Sequence, residues 1–314
     1  MAMVYLLIGL LAFALIGVPL AFAIGGTSIA YMLAEAPKLL QMLPQKVWNG
    51  AYSELMIALP LFILAGELMN NGGITNRIIR FCRQLLRPIN GGMGEINVLA
   101  SMIFGGISGS SVADTSALGS IEIPAMEKEG YPSGIAAGLT VATSTMGMII
   151  PPSTPMIVYA MISGGSVGGL FLAGAIPGLM IGITQLVLIY AKSARHGWHP
   201  KKTPFIWKDF WHDIILGIPA LLMPVAIVLS VSFGVCTASE SAGIAVLYAI
   251  LVGFLVYREL TWKQVWHALQ KTLIASSAVM LIIGFTYIFT FILTLQRVPQ
   301  TIQMFFLGLN LPKW

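Results

Sequence analysis

The residues best suited to chemistry lie in one polar, glycine-rich stretch of a very apolar chain. Residues 104–119 read FGGISGSSVADTSALG, with no Lys or Arg among them. Ser108, Ser110 and Ser111 offer hydroxyl oxygens and Asp114 offers a carboxylate, the ligand types that hard cations prefer. Hydrocarbon cannot satisfy polar backbone groups, so such a stretch at membrane depth must be buried in protein or line a wet cavity. The pattern predicts a sodium site, with no other metal and no organic cofactor.

A second break follows in the sequence GMIIPPSTP at 147–155. Pro151 and Pro152 lack backbone N–H groups and interrupt a helix, so the carbonyls one turn earlier lose their partners. We expect these carbonyls, from Gly147 to Ile150, to complete the sodium site together with the serines and Asp114. The helix that resumes near Ser153 would aim its positive N-terminal end at the same place. This predicts a carboxylate substrate, and the candidate substrate-binding residues are Ser110, Ser153 and Thr154.

Several of these residues also have a purely structural interpretation. A Gly/Ser hairpin can serve only for close helix packing in a membrane. Asp114 can be the N-cap of the returning helix, and that interpretation stands beside the cation-site one. For Glu67 and Glu240, near the ends of predicted spans, a capping or interfacial position is favoured over ligation. Glu122 is expected in water at the base of the hairpin.

The composition requires a membrane. Hydrophobic residues make up 57% of the 314 and charged residues only 9%, whereas a soluble domain carries about 25% charged residues. A span needs roughly 20 apolar residues, and segment 95–127 divides into two half-length limbs, which indicates a re-entrant helical hairpin. We therefore predict an all-α polytopic membrane protein with spans at 3–17, 20–35, 54–70, 133–162 (a broken helix), 169–191, 212–232, 235–257 and 272–295.

The basic residues predict the orientation. With the N-terminus outside, most of the 17 Lys and Arg residues fall on one side, which the positive-inside rule makes cytoplasmic. The N-terminus is then periplasmic and the protein is multi-pass in a bacterial inner membrane, in contact with the lipid bilayer. The net charge of +5 is spread among loops and does not indicate a nucleic-acid partner.

The two halves of the chain resemble each other. GVPLAFAIGGTSIAYML at 17–33 aligns with GVCTASESAGIAVLYAI at 234–250, and 67–85 aligns with 291–309. In the predicted orientation the two copies point in opposite directions, which makes an inverted repeat, a plan common among secondary transporters. Nothing follows the arm of the second copy. We expect the second hairpin to be missing from this chain, either because the sequence is a fragment or because another chain completes it.

These patterns predict five segments. The first two are scaffold helices at 1–53 and a first-repeat transport element at 54–165. Within the transport element lie an arm helix at 74–88, the re-entrant hairpin at 95–127 and the broken helix at 133–162. A span and cytoplasmic linker at 166–211 lead to second-repeat scaffold helices at 212–271 and a truncated second-repeat helix and arm at 272–314.

Taken together, the motifs resemble the large membrane subunit of TRAP transporters, the tripartite ATP-independent periplasmic transporters of the DctM type. The resemblance covers essentially the whole chain and is carried by FGGISGSSVADTSALGSIEIPAMEKEGY (104–131), GMIIPPSTPMIVYA (147–160), FLAGAIPGLM (171–180) and TASESAGIAVLYA (237–249). It implies a sodium-coupled elevator-type transporter of the ion-transporter superfamily. It also implies three kinds of partner: a small four-helix membrane subunit, a periplasmic substrate-binding protein and an organic-acid substrate such as a C4-dicarboxylate or sialic acid.

The resemblance implies particular sodium ligands. They would be Ser108 with Ser110 or Ser111, and backbone oxygens at Gly147, Ile150 and Pro152. One departure lies at 237–240, where this chain has Thr-Ala-Ser-Glu in place of the family's Thr-Pro-Thr-Glu.

Three other functions compete with this one: a stand-alone carboxylate or ion antiporter, an intramembrane enzyme and a non-transporting assembly factor. The sequence has no HExxH motif or Ser/His pair within a predicted span. We therefore expect no enzyme activity.

Overall fold

The computed structural model describes residues 2–86, 92–198 and 207–308, and all regular structure in these ranges is helical. The α-helices are α1 Ala2–Leu15, α2 Leu20–Glu35, α3 Leu43–Ala51, α4 Glu54–Asn71, α5 Ile74–Leu86, α6 Met93–Ser108, α7 Ser111–Lys128, α8 Ser133–Ser144, α9 Thr154–Ser163, α10 Val167–His196, α11 Trp207–Ser232, α12 Ala238–Leu251, α13 Trp262–Leu295 and α14 Val298–Gly308. Short 3-10 helices lie at Pro37–Met42 and Thr145–Met148, and a π-helical turn at Val252–Val256 follows α12.

In the described ranges, five helices are long and apolar enough to cross a bilayer: Glu54–Asn71, Val167–His196, Phe210–Ser232, Ala238–Val256 and Trp262–Leu295. The predicted spans at 3–17 and 20–35 form helices of only 14 and 16 residues. Gly17, with φ +85°, and Pro19 separate the two helices. The predicted span at 272–295 belongs to a helix of 34 residues that begins ten residues earlier, at Trp262. The chain is thus a multi-pass helical membrane protein.

The described chain divides into two compact units. The first, Met1–Met56 with Ile274–Trp314, contains α1, α2, α3, α14 and the part of α13 from Ile274 onward. Its core is a small apolar cluster formed by Leu6, Tyr31, Met32, Ile288 and Ile292. Close approach at glycines tightens this core, since a Cβ on Gly25 would lie 2.7 Å from the Phe285 ring.

The second unit, Ile57–Leu273, contains the predicted arm and hairpin. The arm is α5, whose buried face includes Ile74, Ile78 and Cys82 and packs on α6 and α11. The last two residues of the predicted arm, 87–88, lie outside the described residues, as do residues 199–206 of the predicted cytoplasmic linker. Arg77 at the start of α5 pairs with Glu259 at 2.9 Å and lies over the Tyr257 ring. This pair fixes the arm to the turn between α12 and α13.

The predicted hairpin is present as α6 and α7, two helices packed against each other and joined at Gly109 and Ser110. Their open end is closed by hydrogen bonds. Glu129, just after α7, accepts from the Met93 N–H at the start of α6 at 2.7 Å, and Glu95 caps α6 by accepting from the Gly92 N–H at 2.8 Å. We call residues 93–128 the hairpin from here on. Whether it enters and leaves the membrane on one side stays a prediction.

Candidate functional site

The tip of the hairpin is a tight turn with a polar lining. Gly109 adopts the left-handed conformation, φ +59°, that ends α6, and Ser110 caps α7 by accepting from the Ala113 N–H. Glycine takes this conformation without the steric cost that a Cβ brings. The Ser108 hydroxyl accepts from the Ser110 N–H at 3.2 Å and donates to Oδ1 of Asp114. The tip therefore gathers two hydroxyls and one carboxylate within a single turn of chain.

The predicted helix break is also present. Helix α8 passes into the 3-10 helix Thr145–Met148, and α9 begins only at Thr154, after Pro151 and Pro152. The N–H groups of Ile149 and Ile150 both donate to the Met146 carbonyl, at 2.9 and 2.7 Å. The Ser153 hydroxyl donates to the Met148 carbonyl at 2.6 Å. The Met148 carbonyl is one of those predicted to lose their helical hydrogen bonds, and it accepts from a side-chain hydroxyl instead.

The tip and the break meet. The Thr154 N–H donates to the Gly109 carbonyl at 3.3 Å. A Cβ on Gly105 would lie 2.8 Å from the Gly147 Cα, and a Cβ on Gly147 would overlap Oδ2 of Asp114. Only glycines permit this approach, so α6, α7 and the 3-10 helix converge on the carboxyl of Asp114.

Asp114 is the centre of this arrangement. Its side chain is completely buried, and its Oδ2 has no hydrogen-bond partner within the described part of the chain. The N-cap of α7 is Ser110, and Asp114 lies in the first turn beyond it. Capping therefore does not account for Asp114. A buried carboxylate oxygen without a partner is costly unless a cation or a proton completes its environment.

The other predicted site residues lie around the same point. Ser108, Gly147, Pro152 and Ser153 are buried with Asp114, whereas Ser110, Ser111, Ile150 and Thr154 are partly exposed. The Ser153 hydroxyl is used by Met148 and does not cap α9. The Oγ1 atom of Thr154 is buried without a partner in the residues described. The Ile150 side chain packs toward Gly106 and Gly178. Any contribution of Ile150 to the sodium site would therefore come from its backbone.

One part of the hairpin differs from the prediction. Glu122, expected in water, is completely buried. The prediction was wrong because Glu122 follows Asp114 by eight residues, just over two helical turns, and so shares its inward face. Asn97 of α6 donates to it, and Ser101, Thr140 and Thr143 join the same buried network. The sequence carried a signal of this buried polar face, because Asn97, Ser101 and Ser108 are spaced to lie on one face of α6.

Comparison with known proteins identifies the family. The family model described as "Tripartite ATP-independent periplasmic transporter, DctM component" matches residues 7–314. The 2,3-diketo-L-gulonate TRAP transporter large permease of Escherichia coli is 35% identical over 288 residues, 92% of this chain and 68% of its own. The sialic acid TRAP transporter large permease of Vibrio cholerae is 33% identical, over 98% of this chain and 72% of its own. The C4-dicarboxylate TRAP transporter large permease of Pseudomonas aeruginosa is 33% identical, over 93% of this chain and 68% of its own.

Proposed function

Because the chain belongs to the DctM family of TRAP transporter large permeases, we propose that it binds sodium at Asp114 and uses it to import an organic acid. In this proposal a periplasmic binding protein delivers the acid, a small membrane subunit accompanies the permease, and the transport element moves by an elevator mechanism. The substrates named for its relatives include a sugar acid, sialic acid and C4-dicarboxylates. Each of these three carries a carboxylate, whereas the isethionate named for another relative carries a sulfonate.

The observation that supports a sodium site is the unpartnered Oδ2 of Asp114. It is completely buried and faces the 3-10 helix at Gly147, next to the Ser108 hydroxyl. A sodium ion there would find the carboxylate, the serine oxygen and the backbone carbonyls of the break, all of them oxygen ligands. It would also neutralise the buried charge. Because the tip contributes Ser108 and Asp114 and the break contributes carbonyls, the ion would hold the two together.

The start of α9 supports a carboxylate site beside the sodium site. Helix α9 has ten residues and no side-chain cap on its N-terminus, which leaves a partial positive charge there. Thr154, the first residue of α9, is hydrogen-bonded to the tip through its N–H and keeps a buried hydroxyl without a partner in the described ranges. A substrate carboxylate at this point would lie next to Ser110. Closure of the tip on the break by sodium would then shape the substrate site, which couples the two ligands.

Uptake into proteoliposomes tests this function. The permease is reconstituted with a small membrane subunit, a binding protein is added outside, and the uptake of labelled C4-dicarboxylates, sialic acid and sugar acids is followed. We expect uptake of one of these acids to require an inward sodium gradient and the binding protein. Asp114→Asn should abolish this uptake, and Asp213→Asn, a matched change at a site that pairs with Gln84, should retain it. Uptake that persists when potassium replaces sodium would contradict the proposal.

A further inference from the structure

A second buried carboxyl lies two helical turns from Asp114 and takes no part in the proposed sodium site. Glu122 is completely buried in the hairpin, and its Oε1 has no hydrogen-bond partner among the described residues. Its Oε2 lies 2.5 Å from the amide of Asn97. Within the described ranges no basic side chain lies within ion-pair distance of it. An ionised carboxylate in such a place, without a counter-ion, would be strongly disfavoured.

The groups around Glu122 are nearly all neutral. Helix α8 contributes Thr140 and Thr143 and has no titratable residue in its sequence. Helix α6 contributes Asn97 and Ser101, and its one titratable residue, Glu95, is engaged at the base of the hairpin. From α5, Cys82 and Arg83 are close enough to interact electrostatically with the carboxyl. Cys82 is a buried thiol, whereas Arg83 is exposed and its Nη2 contacts the Met93 sulfur at 3.4 Å.

The distance between Asn97 and Glu122 fits a hydrogen bond between two oxygens. A separation of 2.5 Å lies within the usual range for O–H···O bonds and below that for N–H···O bonds. The two ends of an asparagine amide have the same shape, so the network decides which end faces the carboxyl. With Oδ1 of Asn97 toward Glu122, a protonated Oε2 donates to it at this distance. A shared metal ion would place the two atoms farther apart than this. Two oxygens bound to one metal ion, each about 2.3–2.6 Å from it, normally lie roughly 3 Å or more apart.

This orientation of Asn97 costs the network one bond, the one from Nδ2 to Thr140 Oγ1 at 3.1 Å, since the Thr140 hydroxyl donates to the Ala136 carbonyl, and it keeps the others. The Asn97 Nδ2 then donates to Thr143 Oγ1, 2.8 Å away. Thr143 in turn donates to the Thr140 carbonyl at 3.1 Å and accepts from the Ser101 hydroxyl at 3.0 Å. Thr140 donates to the Ala136 carbonyl at 2.9 Å. With the opposite orientation, Nδ2 donates to an ionised Glu122 and the Thr143 hydroxyl donates to Oδ1, so the network fits both protonation states.

We propose that Glu122 is a proton-binding site, at which a proton from water converts the carboxylate to the neutral acid and the Asn97 amide turns to accept it. The step breaks one O–H bond of a hydronium ion, which leaves as water, forms one O–H bond on the carboxyl and changes the charge of the hairpin by one unit. It is separate from the sodium site and does not depend on the sodium assignment. Of the two buried acids at 114 and 122, only Asp114 would then need a metal cation.

Infrared spectroscopy of the permease in lipid nanodiscs tests this proposal directly. A protonated carboxylic acid has a C=O stretch that a carboxylate lacks, and labelling glutamate carboxyls with carbon-13 moves that band for glutamate and not for aspartate. We expect a labelled protonated band at neutral pH that is lost in Glu122→Gln. It should be kept in Glu127→Gln, a change at an exposed glutamate of the same helix. The band should also be unchanged when sodium replaces potassium.

A second variant keeps the test decisive if Glu122→Gln does not fold. Glu122→Asp retains the acid but removes it from the labelled set, so the labelled band should disappear in that variant as well. The absence of a labelled band at neutral pH would overturn the proposal. So would a band that persists in both variants, or one that sodium removes, because sodium and not a proton would then occupy the site.

Discussion

At the residue scale, the central feature is the buried carboxyl of Asp114, which is surrounded by small residues. Ser108 donates to one oxygen of Asp114, and Gly147 leaves room for the other. An apolar substitute for Ser108 would leave Oδ1 buried with one donor fewer. A buried polar group that loses its partner costs more than the hydrogen bond itself contributed.

Ser108→Ala should therefore destabilise the protein by about 1–3 kcal/mol. The measurement is thermal or denaturant unfolding in potassium, where sodium does not contribute. Ser120→Ala is the control, since Ser120 lies on the exposed face of α7 and donates only to the Ala117 carbonyl. It should change stability by less than about 0.5 kcal/mol. Equal effects of the two substitutions would mean that Ser108 does not support the carboxyl.

Residue types alone predicted much of the candidate site. The serines and Asp114 could be recognised because polar residues in an apolar context are informative, and the capping role favoured for Glu240 is confirmed by its reciprocal hydrogen bonds with Thr237. The sequence left open whether Asp114 caps α7 or belongs to a cation site, since the answer depends on where the turn places each backbone N–H. Glu122 was misplaced because nearby charged residues at 127–129 suggested water. That turn is buried by packing against α8, and the helical spacing of Glu122 from Asp114 was the signal that pointed to it.

At the scale of elements, the hairpin and the broken helix are positioned by close backbone approach. Gly105 of α6 faces Gly147, and Gly66 of α4 faces the Ser108 backbone, where an added Cβ would lie 3.2 Å from the Cα. These contacts set the distance between Asp114 and the break. They also make glycine substitutions a direct test of the arrangement.

Gly105→Ala should destabilise the protein by about 1–3 kcal/mol, because the new Cβ would lie 2.8 Å from the Gly147 Cα and force the helices apart. Gly138→Ala, in α8, has nothing within 4 Å of the new Cβ. Since alanine favours helix over glycine, the control should be neutral or stabilising by up to about 1 kcal/mol. Unfolding in denaturant measures both. A neutral Gly105→Ala would show that α6 and the 3-10 helix are not in contact.

Replacing both Pro151 and Pro152 by alanine should weaken sodium binding. The two new N–H groups would compete for the carbonyls of the break and let helical structure continue through it. The sodium dependence of thermal stability measures the affinity. Pro124→Ala, which removes a proline inside α7 away from the break, should leave the affinity unchanged. If the double variant also binds sodium with the affinity of the original protein, the carbonyls are not ligands.

The sequence could predict that 147–155 interrupts a helix, because two adjacent prolines have only that outcome in an apolar span. It could not predict how the break is stabilised. The Met148 carbonyl is satisfied by Ser153 five residues later, and the tip is tied to Thr154 from 45 residues away. Such bonds depend on tertiary packing. The length of α13 was also predicted too short, because Lys263 and Lys271 interrupt the apolar sequence before the predicted span.

At the scale of the whole molecule, the chain is a multi-pass helical permease of the TRAP transporter family. The orientation in the membrane, the inverted repeat and the elevator movement remain predictions. The orientation rests on the distribution of basic residues, the inverted repeat on internal sequence similarity together with that orientation, and the elevator movement on the family resemblance alone. Orientation is the most accessible of the three.

The predicted orientation places the end of α7 in the cytoplasm and α3 in the periplasm. In a Cys82→Ser, Cys236→Ser background, a cysteine at exposed Glu127 should react with an impermeant maleimide only in inverted membrane vesicles. A cysteine at exposed Gln45 should react only in right-side-out cells. The reverse pattern would contradict the orientation.

The central claim is that Asp114 binds sodium, and the most direct measurement is thermal unfolding of the purified chain in sodium and in potassium at equal ionic strength. Sodium at about 100 times its dissociation constant should stabilise the protein by roughly 2.7 kcal/mol. This gain should vanish in Asp114→Asn, which keeps the shape of the side chain and removes its charge, and persist in Asp213→Asn. No difference between sodium and potassium, or the same gain in Asp114→Asn, would contradict the account.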